Sequence, residues 1–121
     1  MSVKISRQHW QALLLELDDA RRKRHLLTYR ALVERLQLPT PGMQTLTAAL
    51  EYLAGLDARA ERPLRSALVI SQGASRLPRT GFFDYVAQLG RFSGPSDGIA
   101  AASWHAAEVA RVFEFAYPEE L

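Results

Sequence analysis

The fold is decided by residues 28–83, TYRALVERLQLPTPGMQTLTAALEYLAGLDARAERPLRSALVISQGASRLPRTGFF. This stretch begins with a short amphipathic helix, because Thr28 can act as its N-cap and four apolar residues recur at helical spacing before Pro39. These four are Tyr29, Leu32, Val33 and Leu36. Proline cannot continue a helix, so the chain has to turn at residues 38–42.

A second helix is predicted directly after this turn. Thr40 can serve as its N-cap and Pro41 as its first helical residue, and the apolar stripe extends to about Leu56. The stripe consists of Met43, Leu46, Ala49, Leu50 and Leu53. Two short helices joined by a compact turn are typical of a helix-turn-helix, in which the second helix is the recognition helix for DNA.

A strand and a loop are predicted after these two helices. Residues 57–63 form a polar, charged linker, and residues 64–71 contain a nearly continuous apolar run that predicts a buried strand. Residues 72–81, QGASRLPRTG, have the composition of a surface loop. A helix-turn-helix followed by a strand and a projecting loop predicts a winged helix, with this loop as the short β-wing.

Three further helices complete the predicted fold. The first covers residues 6–25, with Ser6 as N-cap, the second ends at Gly90, and the third covers residues 99–117, with Pro118 as its terminator. Their expected buried residues are Trp10, Leu13, Leu14, Leu17, Phe82, Phe83, Val86, Leu89, Trp104, Val109, Val112, Phe113 and Ala116. We therefore expect one mainly α-helical domain over residues 1–121, with a winged-helix-like core at 28–92 and helical additions at 6–25 and 99–117.

Composition excludes several classes of protein. With 121 residues, 48% hydrophobic and 23% charged, the chain has the balance of an ordinary globular domain. The absence of cysteine excludes disulfides, thiolate metal sites and cysteine nucleophiles. No apolar run approaches the length of a membrane span, and the polar N-terminus lacks the features of a signal peptide. These features predict a cytoplasmic protein without membrane contact.

Charge is distributed unevenly along the chain. Residues 1–91 contain 14 Lys and Arg against 8 Asp and Glu, whereas residues 92–121 contain 1 against 5. A basic body can attract phosphate, although a solvated arginine-rich surface is an equally good interpretation. The acidic tail either shields the basic part or lies on another face. The basic run at 21–25 is explained either by a phosphate clamp or by the negative end of a helix dipole.

The outer face of the predicted recognition helix supplies the candidate DNA-binding residues. Glutamine and arginine are good readers of base edges, and arginine is a good phosphate ligand. The candidates are Gln44, Thr45 and Thr47 for the groove, and Arg30, Arg65, Arg76 and Arg79 for phosphates. The helix itself supplies no positive charge for DNA phosphates, since no Lys or Arg occurs between Leu36 and Ala58.

Residues 28–92 resemble a known family in the order of these features. A Thr-Tyr pair opening a short helix, a Pro-Gly turn, a small-residue helix, a strand and a Gly-bearing loop are similar to the C-terminal winged-helix domain of alkylguanine DNA alkyltransferases and alkyltransferase-like proteins. Residues 63–70 and 77–83 also resemble a winged-helix-like segment that is found in small uncharacterised bacterial proteins and beside some restriction-type nucleases. The resemblance implies a DNA-binding scaffold.

Two residues depart from the alkyltransferase pattern. That family carries its reactive cysteine in a Pro-Cys-His-Arg string, and the corresponding position here is about Ser66. The family also has an arginine that intrudes into the duplex, near the place that Gln44 occupies here. Alkyl transfer is therefore excluded, and base flipping by an arginine is not expected.

No group of residues predicts catalysis or metal binding. His9, His25 and His105 fall on different predicted segments, and the nearest approach to a ligand pair is His105 with Glu108. A metal site needs three or more converging ligands. We expect no metal, no cofactor and no enzymatic activity.

Two functions remain. The first is a non-enzymatic DNA-binding module. The second is a protein-interaction or dimerisation module that uses the uncharged recognition helix, with Tyr52 at its edge, as a contact surface. For Tyr52 the alternative of burial in the core is favoured by the general behaviour of aromatic residues.

Overall fold

The computed structural model describes residues 5–118, and within them the fold is mainly helical with a small two-stranded parallel sheet. The elements in chain order are α1 (Arg7–Lys23), β1 (Leu27–Thr28), α2 (Tyr29–Leu36), α3 (Gly42–Arg59), a 3-10 helix (Arg65–Leu68), β2 (Val69–Ile70), α4 (Thr80–Gln88) and α5 (Gly98–Glu114). None of the helices in this part of the chain has both the length and the apolar character required to cross a membrane.

The first two helices begin where the sequence predicts. The Ser6 hydroxyl oxygen accepts a hydrogen bond from the His9 amide at 3.0 Å, and the Thr28 hydroxyl oxygen accepts one from the Ala31 amide at 3.1 Å. Each hydroxyl satisfies an amide that has no partner within its helix. Both helices end at a residue in the left-handed conformation, which turns the chain sharply.

The third helix differs from the prediction at both ends. Pro41 is its N-cap in extended backbone, so helical structure begins at Gly42 and Thr40 makes no cap. The helix continues to Arg59 and includes Asp57, which the sequence places in a linker. Asp57 is wholly buried, because its carboxylate is paired with guanidinium groups that follow it in the chain. Met43 is 39% exposed, so its predicted burial is wrong.

Residues 64–70 of the predicted strand at 64–71 are buried, but most of this segment does not form a strand. Arg65–Leu68 is a 3-10 helix, and only Val69–Ile70 pairs with β1, in parallel register. The reason is two hydrogen bonds to α3, each formed between a side chain and a backbone group. The Ser66 hydroxyl donates to the Leu50 carbonyl at 2.6 Å, and the Arg65 amide donates to Asp57 at 2.9 Å. These bonds hold the backbone against α3, and among the described residues the only strand pairing is that of β1 with β2.

The last two helices largely follow the sequence. Phe82, Phe83 and Val86 are buried in α4, and Gly90 follows this helix with a φ of 75°. The last helix ends at Glu114, earlier than predicted, and Ala116 is exposed beyond it. Arg21 donates to the Phe115 carbonyl at 3.1 Å, and the Tyr117 hydroxyl donates to the Pro63 carbonyl at 2.7 Å. These contacts direct the chain away from the helix axis.

The core surrounds the segment formed by the 3-10 helix and β2. This segment packs on α1, α3 and α5, so these three helices enclose it. Aromatic rings fill one side, where Phe83, Phe92 and Trp104 lie 5.5–6.2 Å apart between ring centroids. Trp10, Trp104 and Phe113 are partly buried against this core, which confirms their predicted role in packing.

Candidate nucleic-acid interface

The outer face of α3 carries a row of polar residues. Gln44, Thr47 and Glu51 are three or four positions apart and therefore share one face of the helix. Gln44 is exposed, whereas Thr47 and Glu51 are half-buried. Thr45 does not belong to this row, because it lies in line with Tyr52, seven positions further along the helix. The structure thus separates Thr45 from the other two predicted groove residues.

Tyr29 joins this row to the loop that follows β2. Its hydroxyl oxygen accepts a hydrogen bond from the Arg79 amide at 3.1 Å, and the Arg79 guanidinium carbon lies 5.8 Å from the centre of its ring. The side chain is largely buried at the start of α2. The sequence predicts Tyr29 as a core residue and gives no sign of this bridging position, which depends on a residue fifty positions away.

Two clefts meet at this bridge. One, of about 100 Å³, is lined by residues that include Tyr29, Thr47, Glu51 and Arg79. A more open one, of about 350 Å³, is lined by Tyr29, Arg30, Met43, Ser71, Gln72 and Arg79. We call the surface formed by Tyr29, Arg30, Met43, Thr47, Glu51 and Arg79 the Tyr29 face.

The electrostatics of the Tyr29 face combine a neutral phenol with groups of both signs. Burial raises the pKa of Tyr29 above its ordinary value, against the opposing effect of Arg79, so the hydroxyl stays protonated at neutral pH. Burial also raises the pKa of the Glu51 carboxyl, again opposed by Arg79. The face can therefore form hydrogen bonds through the phenol, bind an anion through the guanidinium and accept hydrogen bonds through the carboxylate.

Three of the predicted phosphate ligands are exposed to solvent. Arg30 is 70% exposed, and its nearest carboxylate, Glu34, lies 3.9 Å away, at the limit of an ion pair. Arg76 and Arg79 are exposed on the loop after β2, and within residues 5–118 neither pairs with a carboxylate. Arg30 and Arg79 line the same cleft, and Arg76 lies on the same loop as Arg79.

Arg65 is not part of this surface, so its prediction as a phosphate ligand needs correction. Its side chain is 9% exposed, with Nη2 2.8 Å and Nε 3.2 Å from the Asp57 carboxylate oxygens. The ring of Tyr117 covers it, 4.7 Å from the guanidinium carbon. A phosphate cannot reach a guanidinium that is held in this way.

The basic run at the end of α1 is occupied by ion pairs. Arg21 and Arg22 both contact Asp18, at 2.7 and 2.9 Å, and Lys23 lies 3.3 Å from Asp19. Arg24 lies 2.5 Å from Glu114 at the end of α5. These contacts favour the explanation by local charge and helix dipole over the phosphate clamp.

Tyr52 is exposed more than the sequence predicts. It is 46% exposed, and its ring meets that of Trp10 edge to face at a centroid distance of 5.8 Å. The favoured expectation of core burial is therefore wrong. The Trp10 ring in α1 covers part of Tyr52, and about half of the residue stays exposed to solvent.

The side chains considered for chemistry are held by structural hydrogen bonds. Ser66 lines the smaller cleft, but its hydroxyl donates to Leu50. His105 is buried, and its Nε2 lies 2.8 Å from the Ala67 carbonyl oxygen; burial lowers its pKa below the ordinary value, against the effects of that carbonyl and of Glu108. In the part of the chain that the structure describes, no three potential metal ligands converge.

Comparison with protein-family models, with curated proteins and with solved structures finds no match in any of the three. The fold and the Tyr29 face are therefore the basis on which a function has to be inferred.

Proposed function

We propose that the chain is a non-enzymatic DNA-binding module on a winged-helix-like scaffold, with α3 as the recognition helix. Two features of the backbone support this scaffold. Residues 37–41 form a short turn between α2 and α3, and β2 leads into a loop that is closed by a hydrogen bond from the Ser71 amide to the Leu77 carbonyl. In this proposal the loop at 71–79 is the wing, and it lies next to α2 through the bond between Arg79 and Tyr29.

One observation supports DNA more than any other. Among residues 5–118, Arg76 and Arg79 form no ion pair with a carboxylate, and Glu34, which pairs with Arg30, lies 3.9 Å away. Phosphate contacts by arginine supply much of the affinity of proteins for DNA. A guanidinium that no carboxylate holds at short distance can form such a contact without first breaking a close ion pair.

The polar row on α3 would then face the bases. Gln44 is exposed and can form two hydrogen bonds to adenine, while the Glu51 carboxylate can accept one from the amino group of cytosine. Thr47 at present donates to the Gln44 carbonyl at 3.1 Å and would have to rotate to contact a base. Thr45 lies too far around the helix to join them and is assigned to the flank.

The resemblance to alkyltransferase-like proteins enters this proposal without their chemistry. Ser66 stands at about the position of the reactive cysteine, and its hydroxyl is bonded to the Leu50 carbonyl in the interior. We infer a DNA-binding relative of that scaffold that transfers no alkyl group.

A second candidate function is protein interaction or dimerisation through α3. Its support is the exposure of Met43 and Tyr52 on a helix that has no Lys or Arg between residues 36 and 58. Apolar and aromatic residues of this kind are enriched in the centres of protein interfaces. This function predicts association that salt does not weaken.

The test is a titration of a fluorescently labelled random duplex, followed by anisotropy at about 50 and about 200 mM salt. Three phosphate contacts predict a loss of affinity of roughly 40-fold between these concentrations. Replacing Arg30, Arg76 and Arg79 by Gln together should abolish most binding. A matched control replaces Arg22, Lys23 and Arg59 by Gln, which removes the same charge from the ends of α1 and α3.

The outcomes separate the two functions. Retained affinity in the control, together with loss in the first triple variant, supports DNA binding through the Tyr29 face. Equal losses in both variants, or no binding at the lower salt concentration, would overturn it. A dimer in light scattering that dissociates on Tyr52→Ala replacement would favour the second function.

A further inference from the structure

The smaller cleft of the Tyr29 face, of about 100 Å³, contains an apolar part. Its floor is apolar, because the buried side chains of Leu50 and Phe82 line it. Its rim includes Thr47 and Glu51, which belong to the polar row on α3. We call the part formed by Thr47, Leu50 and Phe82 the apolar recess. It lies directly beside the carboxylate of Glu51 and has room for a methyl group.

The hydroxyl groups of this cleft already have partners, whereas its carboxylate has none. The Ser66 hydroxyl donates to a backbone carbonyl of α3 at 2.6 Å, and the Thr47 hydroxyl donates to another at 3.1 Å. The Tyr29 hydroxyl oxygen accepts a hydrogen bond from a backbone amide at 3.1 Å. Among residues 5–118, the Glu51 carboxylate forms neither a hydrogen bond nor an ion pair. Glu51 therefore supplies the cleft with an acceptor that is available to a ligand.

The charge of Glu51 restricts the bases that this cleft can meet. A carboxylate on a surface that faces DNA is repelled by the phosphates and has to be compensated by a hydrogen-bond donor of a base. In the major groove, cytosine and adenine present amino groups, whereas guanine and thymine present oxygen acceptors. Carboxylates accept hydrogen bonds from the cytosine amino group in particular. Glu51 therefore favours cytosine and disfavours thymine.

The apolar recess adds a second requirement to the base. In cytosine the carbon that carries the amino group is bonded to C5, the atom at which thymine has its methyl group. A base that donates to Glu51 therefore brings C5 close to the recess. Thr47 lies one turn before Glu51 on the same face of α3, and because its hydroxyl is occupied, it can contact a ligand through its methyl group. Threonine methyl groups and phenylalanine rings are common contacts of pyrimidine methyl groups.

We propose that the Tyr29 face binds duplex DNA that contains 5-methylcytosine, with the amino group of this base bonded to Glu51 and its methyl group in the apolar recess. This inference rests on the proposed function, because it requires α3 to enter a major groove. Cytosine has the amino group but lacks the methyl group. Thymine has the methyl group but presents an oxygen where Glu51 requires a donor. The carboxylate and the recess together therefore select the methylated cytosine over both.

The test compares three preparations of one labelled random duplex pool by fluorescence anisotropy at about 50 mM salt. The first pool contains the ordinary bases. The second has 5-methylcytosine in place of every cytosine, and the third has uracil in place of every thymine. The methylated pool should bind about fourfold more tightly than the ordinary pool, which is the effect of burying one methyl group. The uracil pool should bind as the ordinary pool does, because the recess takes no thymine methyl group.

The outcomes distinguish this inference from the function on which it rests. If none of the pools binds, both are overturned. Equal affinity for the ordinary and the methylated pool overturns the inference alone, because DNA binding itself is then retained. A loss in the uracil pool as large as the gain in the methylated pool would show that any pyrimidine methyl group is bound, and this would overturn the selection by Glu51.

The recess is tested by Thr47→Ser, with the ratio of the affinities for the methylated and the ordinary pool as the readout. The change removes the methyl group of the side chain and keeps the hydroxyl, so the ratio should fall from about fourfold to below about twofold. Thr45→Ser is the matched control on the flank of α3 and should retain the ratio. An equal fall in the control, or a constant ratio in Thr47→Ser, contradicts the recess.

The carboxylate is tested by Glu51→Gln with the same readout. The change keeps the size of the side chain, but an amide can also donate to thymine or pair with adenine, so the base beside the recess is no longer fixed. The ratio should again fall below about twofold. Glu61→Gln removes the same charge from an exposed residue beyond the end of α3 and should retain the ratio. A constant ratio in Glu51→Gln would overturn the proposal.

Discussion

The exposed arginines of α2 and of the loop after β2 differ from the arginines around Asp57 and Glu108 in how they are partnered. Arg30, Arg76 and Arg79 are exposed; within residues 5–118 the last two form no ion pair, and Arg30 pairs only at 3.9 Å with the exposed Glu34. The second set is held by two buried carboxylates and consists of Arg62, Arg65, Arg91 and Arg111. The partner, rather than the residue type, therefore decides whether an arginine stabilises the fold or is available to a ligand.

The two states differ strongly in energy. Exposed ion pairs such as that of Arg30 with Glu34 contribute about 0–1 kcal/mol. Removing one member of a buried pair leaves the other charge without compensation and costs about 3–5 kcal/mol. Substitutions in the two regions should therefore have different effects on folding and on binding, and the following predictions test this difference.

The largest effect is expected for Asp57→Asn. The change keeps the shape of the side chain but removes the charge that Arg62 and Arg65 share, so the free energy of unfolding should fall by about 3–5 kcal/mol. Denaturation in urea, followed by circular dichroism, measures it. Asp19→Asn removes the same charge from an exposed pair with Lys23 and should change stability by less than about 0.5 kcal/mol. Equal losses would show that the interior arginines do not depend on Asp57.

A smaller effect is expected for Tyr117→Phe. The substitution removes the hydrogen bond from the hydroxyl to the Pro63 carbonyl but keeps the ring over Arg65. The expected loss in the free energy of unfolding is about 1 kcal/mol. Tyr52→Phe is the matched control, since its ring is half exposed and should tolerate the change. A loss in the control as large as that in Tyr117→Phe would argue against a role of the hydroxyl.

A pH effect is expected from His105, which lies beside Glu108 in the interior. Burial holds its pKa in the folded chain below the ordinary value near 6.5, so below about pH 6.5 the unfolded chain binds the additional proton more readily. The free energy of unfolding should therefore fall as pH is lowered from 7 through this region.

His105→Gln removes the titrating group, and its side-chain amide is long enough to keep a donor near the position of Nε2 for the Ala67 carbonyl. Urea denaturation at a series of pH values should then show a weaker dependence than in the original chain. His25→Gln replaces an exposed imidazole by the same amide and is the matched control for the substitution. An unchanged dependence in His105→Gln would exclude this imidazole as its source.

The smallest effect on stability is expected for Arg79→Gln. The guanidinium lies over the Tyr29 ring but pairs with no carboxylate in the described residues. The hydrogen bond to the Tyr29 hydroxyl comes from the backbone amide of residue 79, so replacing the side chain does not remove it. The free energy of unfolding should change by less than about 0.5 kcal/mol. If the proposed function is correct, the salt dependence of DNA affinity should lose about one unit of slope. A loss of stability as large as that of Asp57→Asn would remove the distinction between the two regions.

The sequence by itself determined the features that depend on neighbouring residues. Ser6 and Thr28 cap their helices, and the apolar spacing of α1, α2 and α4 gives the buried faces, because caps and periodicity act within one or two turns. The predicted surface loop at 72–81 is also exposed over most of its length. The proposed winged helix and DNA contacts remain predictions.

The tertiary structure alone decided what depends on partners distant in the chain. Arg65 became an interior residue because Asp57, in the preceding helix, pairs with it, and the expected strand became a 3-10 helix for the same reason. Glu108 reaches Leu64 across forty-four positions, and Arg79 reaches Tyr29 across fifty. A pattern of apolar and charged letters records the type of a side chain but not the partner that the fold brings to it, and that partner determines whether a charge is buried or free.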